Sequence, residues 1–211
     1  MSARINVLPA DKSAVESISE AFGLPHFVST VMVARGITEL DDARVFLEPS
    51  LERDWRDPYE IAGMDELVCA LARAVRDQKR VLVFGDFDLD GISATTIMSR
   101  GLMNLGVDVV PFVPLRFEEG YGLTEAAIAR ALTYEPDVLI TVDNGIAAKV
   151  EVERLREAGV EVLITDHHEP ANLVPEGVPV VDPKCDGCAS SILAGAGVAL
   201  KVIQAIGARL G

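Results

Sequence analysis

The feature that most constrains the fold is a regular alternation of short apolar runs with longer amphipathic stretches between residues 64 and 210. Two of the runs, at 138–141 and 162–165, have the same sequence, VLIT. Such β-branched runs are typical of strands that are buried on both faces of a sheet, and the stretches between them are long enough for crossover helices. The sequence therefore predicts an α/β fold, a doubly wound and mainly parallel sheet of about five strands with helices on both faces.

The alternation also predicts where the elements lie. Strands are expected at 81–84, 107–113, 138–142, 160–165 and 178–181. Helices are expected at 64–77, 91–105, 125–132, 147–157 and 198–210. Shorter helical patterns at 14–22, 27–35 and 39–47 precede them. We therefore expect residues 1–62 to form a small helical lead-in packed on the core, and residues 63–211 to form the catalytic domain.

The charge balance limits what the protein can bind. The chain of 211 residues has 19 Lys+Arg against 33 Asp+Glu, a formal net charge of −14. An acidic surface repels polyphosphates, which excludes a histone-like coat on nucleic acid but not an enzyme that holds cations. No apolar run is long enough for a membrane span, no secretory signal begins the chain, and three cysteines are too few for a disulfide framework. We expect a cytoplasmic protein that does not bind a membrane.

Acidic residues follow the predicted strands. In an open parallel sheet, ligands bind beyond the carboxyl ends of the strands. The segments at those ends are 85–91 (GDFDLDG), 143–145 (DNG), 166–168 (DHH) and 182–183 (DP). If the strands are parallel, at least five carboxylates and two imidazoles converge, and their repulsion calls for cations. Carboxylate with imidazole favours Mn²⁺, Fe²⁺ or Zn²⁺, and the ligand supply suits a pair of ions about 3.5–4 Å apart.

Each of these acidic segments, taken alone, also has a simpler interpretation. An isolated Asp143 or Asp182 would be a turn or cap residue. The D-x-D-x-D-G run suggests a calcium loop, but an EF-hand needs Glu at position twelve, which counted from Asp86 is Ile97. The coincidence of all four segments is what favours a metal site.

Two further motifs are weaker. Gly195 and Gly197 precede the last predicted helix, but no strand comes before them and the third glycine of a dinucleotide fingerprint is absent. They could still let the start of that helix approach a substrate phosphate closely. Cys185 and Cys188 form a lone C-x-x-C without further zinc ligands or a redox context, so incidental loop thiols are favoured.

The acidic segments also resemble a known family. Segments 85–91, 141–145 (TVDNG) and 166–168 are similar to the first three motifs of the DHH phosphoesterases. The segments 116–122 (RFEEGYG) and 195–201 (GAGVALK) narrow the resemblance to the RecJ branch, which comprises single-strand-specific 5′→3′ DNA exonucleases of DNA repair and recombination. The FLEPSL stretch of the lead-in is also similar. The resemblance therefore implies metal-dependent hydrolysis of phosphodiester bonds.

The resemblance assigns a cofactor and its ligands. It implies Mn²⁺ or Mg²⁺, with two ions in the complete enzyme. One ion would be held by Asp86, Asp88 and Asp143. The other would be held by Asp90, Asp143 and His167, so that Asp143 bridges the two.

The resemblance assigns catalytic and substrate contacts as well. His168 would face the scissile phosphate, Asp166 would orient the histidines, and Asp143 would act with them in catalysis. Arg116 would clamp a substrate phosphate. The substrate would be single-stranded DNA or an oligonucleotide, with a single-strand-binding protein or a helicase as a further partner.

The sequence departs from the RecJ pattern in one respect, which leaves alternative functions open. RecJ proteins carry a fourth-motif Asp and a DHH-associated domain downstream, and this sequence ends before either. We therefore expect a C-terminally incomplete catalytic domain with an incomplete second metal site. A DHH hydrolase of small nucleotides or oligonucleotides, or a non-catalytic scaffold of the same fold, is the alternative.

Overall fold

The structure, a computed structural model, describes residues 8–170 and 173–211. The chain forms two compact units that divide between Arg56 and Asp57. The first seven residues of the predicted lead-in lie outside the described residues. The roles expected of residues 1–62 and 63–211 stay predictions.

The first unit is helical. Its helices are α1 (Lys12–Phe22), α2 (His26–Ala34), α3 (Leu40–Leu47) and α4 (Leu51–Asp54). Asp11 caps α1 by accepting the N–H of Ala14 at 2.9 Å. Ile18 and Met32 are buried between α1 and α2, and apolar side chains spaced three to four residues apart supply the remaining contacts. Short amphipathic helices of this kind are stabilised by their mutual packing.

The second unit alternates helices with strands. After a 3₁₀ turn at Pro58–Glu60, the elements in chain order are α5 (Met64–Arg76), β1 (Arg80–Phe84), α6 (Leu89–Asn104), β2 (Asp108–Phe112), α7 (Arg116–Glu119), α8 (Glu125–Leu132), β3 (Val138–Thr141), α9 (Lys149–Glu157), β4 (Glu161–Thr165), β5 (Val180–Val181) and α10 (Gly195–Leu210). No helix in the described part of the chain is long and apolar enough to cross a membrane.

The five strands form one sheet in the order β2-β1-β3-β4-β5. Every pairing is parallel, and the register aligns Val81 with Val109 on one side and with Val138 on the other. The predicted doubly wound α/β fold is confirmed. The strand expected at 178–181 is shorter than predicted, because only Val180 and Val181 pair with β4.

Side chains that alternate along the strands enter two apolar layers. One face of the sheet, with Val83 and Ile140, packs against α5, α6 and α10, and the other, with Leu82 and Leu139, packs against α8 and α9. Each fully buried aliphatic side chain contributes about 1.5–3 kcal/mol of transfer free energy. With both faces covered by helices, the carboxyl edge of the sheet remains as the place where loop side chains can gather.

Candidate metal centre

Ionisable side chains from four strands meet at the carboxyl edge of the sheet. Asp86 follows β1, Asp143 follows β3, Asp166 follows β4 and Asp182 follows β5, and all four side chains are buried. Adjacent parallel strands lie about 4.8 Å apart, so the segments that leave them are neighbours. The topology therefore brings distant parts of the sequence to one site.

The turn between β1 and α6 fixes two carboxylates. Asp86 Oδ1 accepts the N–H of Phe87 at 2.7 Å, and Asp88 Oδ1 accepts the N–H of Gly91 at 2.9 Å, which caps α6. A Cβ at Gly91 would lie 2.5 Å from the Cβ of Asp86, so the turn requires glycine there. This cap also starts α6 at Leu89, two residues before the predicted start. Backbone bonds therefore set the direction of both carboxylates.

Asp143 adopts a left-handed backbone conformation directly after β3, with φ of 62°. Such a conformation costs a non-glycine residue on the order of 1 kcal/mol and persists where the surroundings enforce it. Asn144 Nδ2 donates to the carbonyl oxygens of Val142 at 2.9 Å and Phe84 at 3.3 Å, and so ties the turn to β1. The turn holds the Asp143 carboxylate beside the two carboxylates of the β1–α6 turn.

The Asp143 carboxylate is strongly destabilised in its charged form. Burial, followed by the charges of Asp90 and Asp88, raises the pKa of Asp143 to about 7. Asp143 Oδ1 lies 2.9 Å from His167 Nε2, yet it is buried and has no hydrogen-bond partner. Burial also lowers the pKa of His167, which favours the neutral ring with a free lone pair. A carboxylate oxygen and an imidazole nitrogen that face each other at this distance without a hydrogen bond are the arrangement that a cation would satisfy.

Asp166 holds the second histidine. Its Oδ1 accepts the backbone N–H of His167 at 2.7 Å and that of His168 at 3.2 Å, and lies 2.7 Å from His168 Nδ1. Its Oδ2 accepts the N–H of Ile146 at 2.9 Å, which ties β4 to the β3 turn. Although burial lowers the pKa of His168, the hydrogen bond and charge of Asp166 outweigh it, and the net shift is upward. Because Nδ1 is engaged, Nε2 is the nitrogen of His168 that remains for a ligand or substrate.

Asp90, in the first turn of α6, lies beside the start of α10. The residues that lead into α6, 85–88, are called the acidic turn below. The two oxygens of Asp90 accept the N–H groups of Gly195 at 2.7 Å and Ala196 at 2.9 Å, and Oδ2 lies 3.4 Å from His167 Nε2. A carboxylate at a helix N-terminus satisfies free amides and the helix dipole. This contact starts α10 at Gly195, three residues before the predicted start. An ionised carboxylate has about four acceptor positions, so the cap leaves Asp90 able to bind an ion as well.

Among the residues that the structure describes, two groups of side chains have ligand atoms within 4.8 Å of one another, and they share Asp143. They are Asp86, Asp88 and Asp143, and Asp143, His167 and His168. Ligands at right angles around an ion at about 2.1 Å lie about 3 Å apart, which fits the distances of 2.9 and 3.4 Å from His167 Nε2 to Asp143 and Asp90. The orphaned Asp143 oxygen and the mixed oxygen and imidazole donors therefore fit divalent cations.

The three residues that were expected to contact the substrate, Arg116, Gly195 and Gly197, lie in different surroundings. The guanidinium of Arg116 is exposed and lies 4.5 Å from the centre of the Phe87 ring, above the acidic turn. Gly195 packs directly against Asp143, because a Cβ there would lie 2.6 Å from the Cβ of Asp143. A Cβ at Gly197 would lie 3.0 Å from the side chain of Leu193 instead. Arg116 is thus free to contact a phosphate, whereas the amide of Gly195 is already bound to Asp90.

Asp182, which the sequence places after the last strand of the sheet, is a buried carboxylate at this edge. Asp182 Oδ1 accepts the N–H of Lys184 at 2.9 Å, while its buried Oδ2 has no hydrogen-bond partner. Burial raises the pKa of Asp182 to about 6. Its position after a strand was the available signal, but its role as a buried carboxylate depends on the packing around β5. Burial also raises the pKa of the Cys185 and Cys188 thiols, and both are free cysteines.

A family model matches the part of the chain that contains the acidic segments. The model described as the DHH family, N-terminal domain, matches residues 80–210. This range contains the acidic turn, the Asp143 turn, the histidine pair and α10.

Comparison with curated proteins gives more specific relatives. The chain is 37% identical over 198 residues to the single-stranded-DNA-specific exonuclease RecJ of Bacillus subtilis (strain 168), a match that covers 93% of this chain and 25% of that protein. It is 42% identical over 151 residues to RecJ of Thermus thermophilus, covering 72% of this chain and 22% of that protein. The chain thus spans about a quarter of the length of these relatives.

Comparison with solved structures gives a relative of the same kind. The fold is similar to the crystal structure of RecJ in complex with Mn²⁺ from Thermus thermophilus, with a TM-score of 0.73 and 31% identity. That match covers 99% of this chain and 29% of the other.

Proposed function

The chain belongs to the DHH family, and we propose that it hydrolyses phosphodiester bonds of single-stranded DNA with the help of divalent cations. The observation that carries this proposal is the buried Asp143 Oδ1, which lies 2.9 Å from His167 Nε2 and has no hydrogen-bond partner. The similarity to RecJ exonucleases supports the substrate class, and the Mn²⁺ in the related crystal structure supports the choice of metal.

The proposed ligands divide into two sets. Asp86 and Asp88 would hold one ion together with Asp143, and His167 would hold the other together with Asp143 and Asp90. Asp143 would bridge the ions. Bound cations would supply positive charge against the phosphate oxygens and a water of lowered pKa. The expected ion is Mn²⁺ or Mg²⁺.

The residues around the ligands have distinct tasks. Asp166 would keep His168 Nδ1 bound and direct its Nε2 toward the phosphate, where the imidazole can donate a hydrogen bond or a proton. The bond from His168 to Asp166 at 2.7 Å and the raised pKa of His168 both support a proton donor. Arg116 would bind a phosphate oxygen from the exposed side of the acidic turn.

A hydrolase of small nucleotides is the second candidate. The acidity of the carboxyl edge favours it, because a long polyanion is repelled where few cations compensate. The 5′→3′ direction of cleavage, a role in DNA repair and recombination, and partnership with a single-strand-binding protein or a helicase stay predictions from the resemblance.

Digestion of an end-labelled single strand with Mn²⁺ tests the proposal. The wild-type protein should release nucleotides, and Asp143→Asn should abolish release. Asp108→Asn is the matched control, since Asp108 is exposed and paired with Arg80 at the other end of β2. Equal release by wild type and Asp143→Asn would contradict the proposed site. Cleavage of dinucleotides but not of longer strands would favour the second candidate.

A further inference from the structure

Cations are scarce at the carboxyl edge of the sheet. Between the end of each strand and the start of the next long helix, the sequence has two cationic side chains, Arg116 after β2 and Lys184 after β5. The next cation, Lys149, begins α9, and its ammonium lies 2.5 Å from a carboxylate oxygen of Glu176. A polyanionic substrate at the metal centre would therefore find few side chains to neutralise it.

The two cations belong to the segments that follow the outermost strands, and their side chains reach inward, Arg116 to Phe87 and Lys184 to Glu169. β2 and β5 are the outer strands, and the ligand-bearing strands β1, β3 and β4 lie between them. Four strand spacings of about 4.8 Å separate β2 from β5, a span of about 19 Å. The segments that carry the positive charges thus flank the row of acidic and imidazole side chains.

Lys184 is fixed through its backbone but loosely held through its side chain. Its N–H is bound to the buried Asp182 at 2.9 Å, whereas its ammonium lies 3.3 Å from a carboxylate oxygen of Glu169, whose side chain is 84% exposed. The Lys184 side chain is 28% exposed, but its partner stands in solvent. Ion pairs with an exposed partner contribute about 1 kcal/mol or less, so a phosphate can replace Glu169 with a small loss of free energy. Glu169 directly follows the histidine pair, so the Lys184 ammonium lies beside the segment that carries the two histidines.

We infer that Lys184 binds a backbone phosphate of the substrate strand, and that the strand crosses the sheet edge between Arg116 and Lys184. This inference rests on the proposed function and deepens it by giving the strand a path. β5 lies two strand spacings, about 10 Å, from β3. The Lys184 side chain reaches back to Glu169, which follows β4. At about 3.4 Å per stacked nucleotide, the phosphate at Lys184 is therefore about one to three nucleotides from a scissile bond at the end of β3.

The test compares substrates of two lengths. Lys184→Gln should lower kcat/KM for an oligothymidylate of about eight nucleotides about two- to fivefold at low salt, and leave kcat/KM for a dinucleotide unchanged. The slope of log kcat/KM against log salt, which is negative, should become about 0.7 less steep, the value for one phosphate contact on a single strand. Lys184→Arg should retain most of the activity on the longer strand.

Lys79→Gln is the matched control. It removes the same charge from the opposite edge of the sheet, where the Lys79 ammonium lies 3.0 Å from Asp137. It should leave kcat/KM unchanged for both substrates. Fluorescence anisotropy of the labelled longer strand, with Ca²⁺ in place of Mn²⁺, measures the same contact without cleavage. There Lys184→Gln should raise Kd about two- to fivefold.

The outcomes separate the two claims. Unchanged Kd and kcat/KM in Lys184→Gln would overturn the proposed path and leave the proposed function intact. An equal loss on both substrates would also overturn it, because Lys184 would then act at the reacting phosphate. A wild-type protein that binds the strand without hydrolysing it would refute the proposed function, and the change in Kd would still decide the role of Lys184.

Discussion

Replacing Asp143 by Asn tests whether the metal-free site carries uncompensated negative charge. Asn has the shape of Asp and tolerates the left-handed φ of 62° at this position, so the substitution removes the charge and keeps the turn. Burial and the charges of Asp90 and Asp88 raise the pKa of Asp143 from 3.8 to about 7. At about 1.4 kcal/mol per pKa unit, the charged carboxylate costs the metal-free fold at most about 4 kcal/mol.

The direction of the shift sets the pH dependence. The folded protein binds the Asp143 proton more tightly than the unfolded chain does, so this stabilisation is complete below the unfolded pKa of 3.8 and is lost as the pH rises through about 7. Between pH 5 and pH 8 the wild type should lose at most about 3 kcal/mol through this residue. Relaxation and water entry reduce the effect, and we expect about 1–2 kcal/mol.

Urea unfolding with a chelator present, at pH 5 and at pH 8, measures this loss. The gain in unfolding free energy of Asp143→Asn over wild type should be about 1–2 kcal/mol larger at pH 8 than at pH 5. Comparing the two pH values cancels any constant effect of the amide, and Asp108→Asn should show no such change. A gain that is equal at both pH values, or smaller at pH 8, would refute the electrostatic reasoning.

Two further predictions concern the packing of the site and its proton donor. Gly195→Ala places a Cβ 2.6 Å from that of Asp143 and should lower the unfolding free energy by about 1–3 kcal/mol and weaken Mn²⁺ binding, as urea unfolding and metal titration would measure. Gly207→Ala in the same helix meets no atom within 4 Å and should raise stability by about 1 kcal/mol, so an equal loss in both variants would contradict the packing argument. Asp166→Asn should lower the pKa of His168, because the bond to Asp166 raises it, and the alkaline limb of the kcat profile should move to lower pH. A limb that stays in place in Asp166→Asn but disappears in His168→Gln would assign the proton to His168 and refute the role of Asp166.

Local sequence patterns were sufficient to predict most of the fold. The repeated VLIT runs form β3 and β4 at the centre of the sheet, where neighbours on both faces require apolar residues at every position. β5 was harder, since its two paired residues are held by β4 rather than by their own pattern. The short helix α7 was not predicted, because four residues carry too little periodicity to distinguish a helix from a loop.

The candidate site was predictable where each residue directly follows a strand. The convergence of Asp86, Asp143 and His167 follows from parallel strands that end in acidic or imidazole residues. The contact from Asp90 to the amide of Gly195 joins residues 105 positions apart, and no local pattern indicates it. The dual use of Asp90, as a cap for α10 and as a neighbour of His167, therefore appears only in the folded structure.

Titration calorimetry with Mn²⁺ tests most directly whether one shared carboxylate joins two ion sites. We predict two bound ions in the wild type, the one at the incomplete second site held more weakly, one in Asp88→Asn, one in His167→Gln and none in Asp143→Asn, because only Asp143 belongs to both ligand sets. Undiminished Mn²⁺ binding by Asp143→Asn would show that Asp143 does not bridge two ion sites.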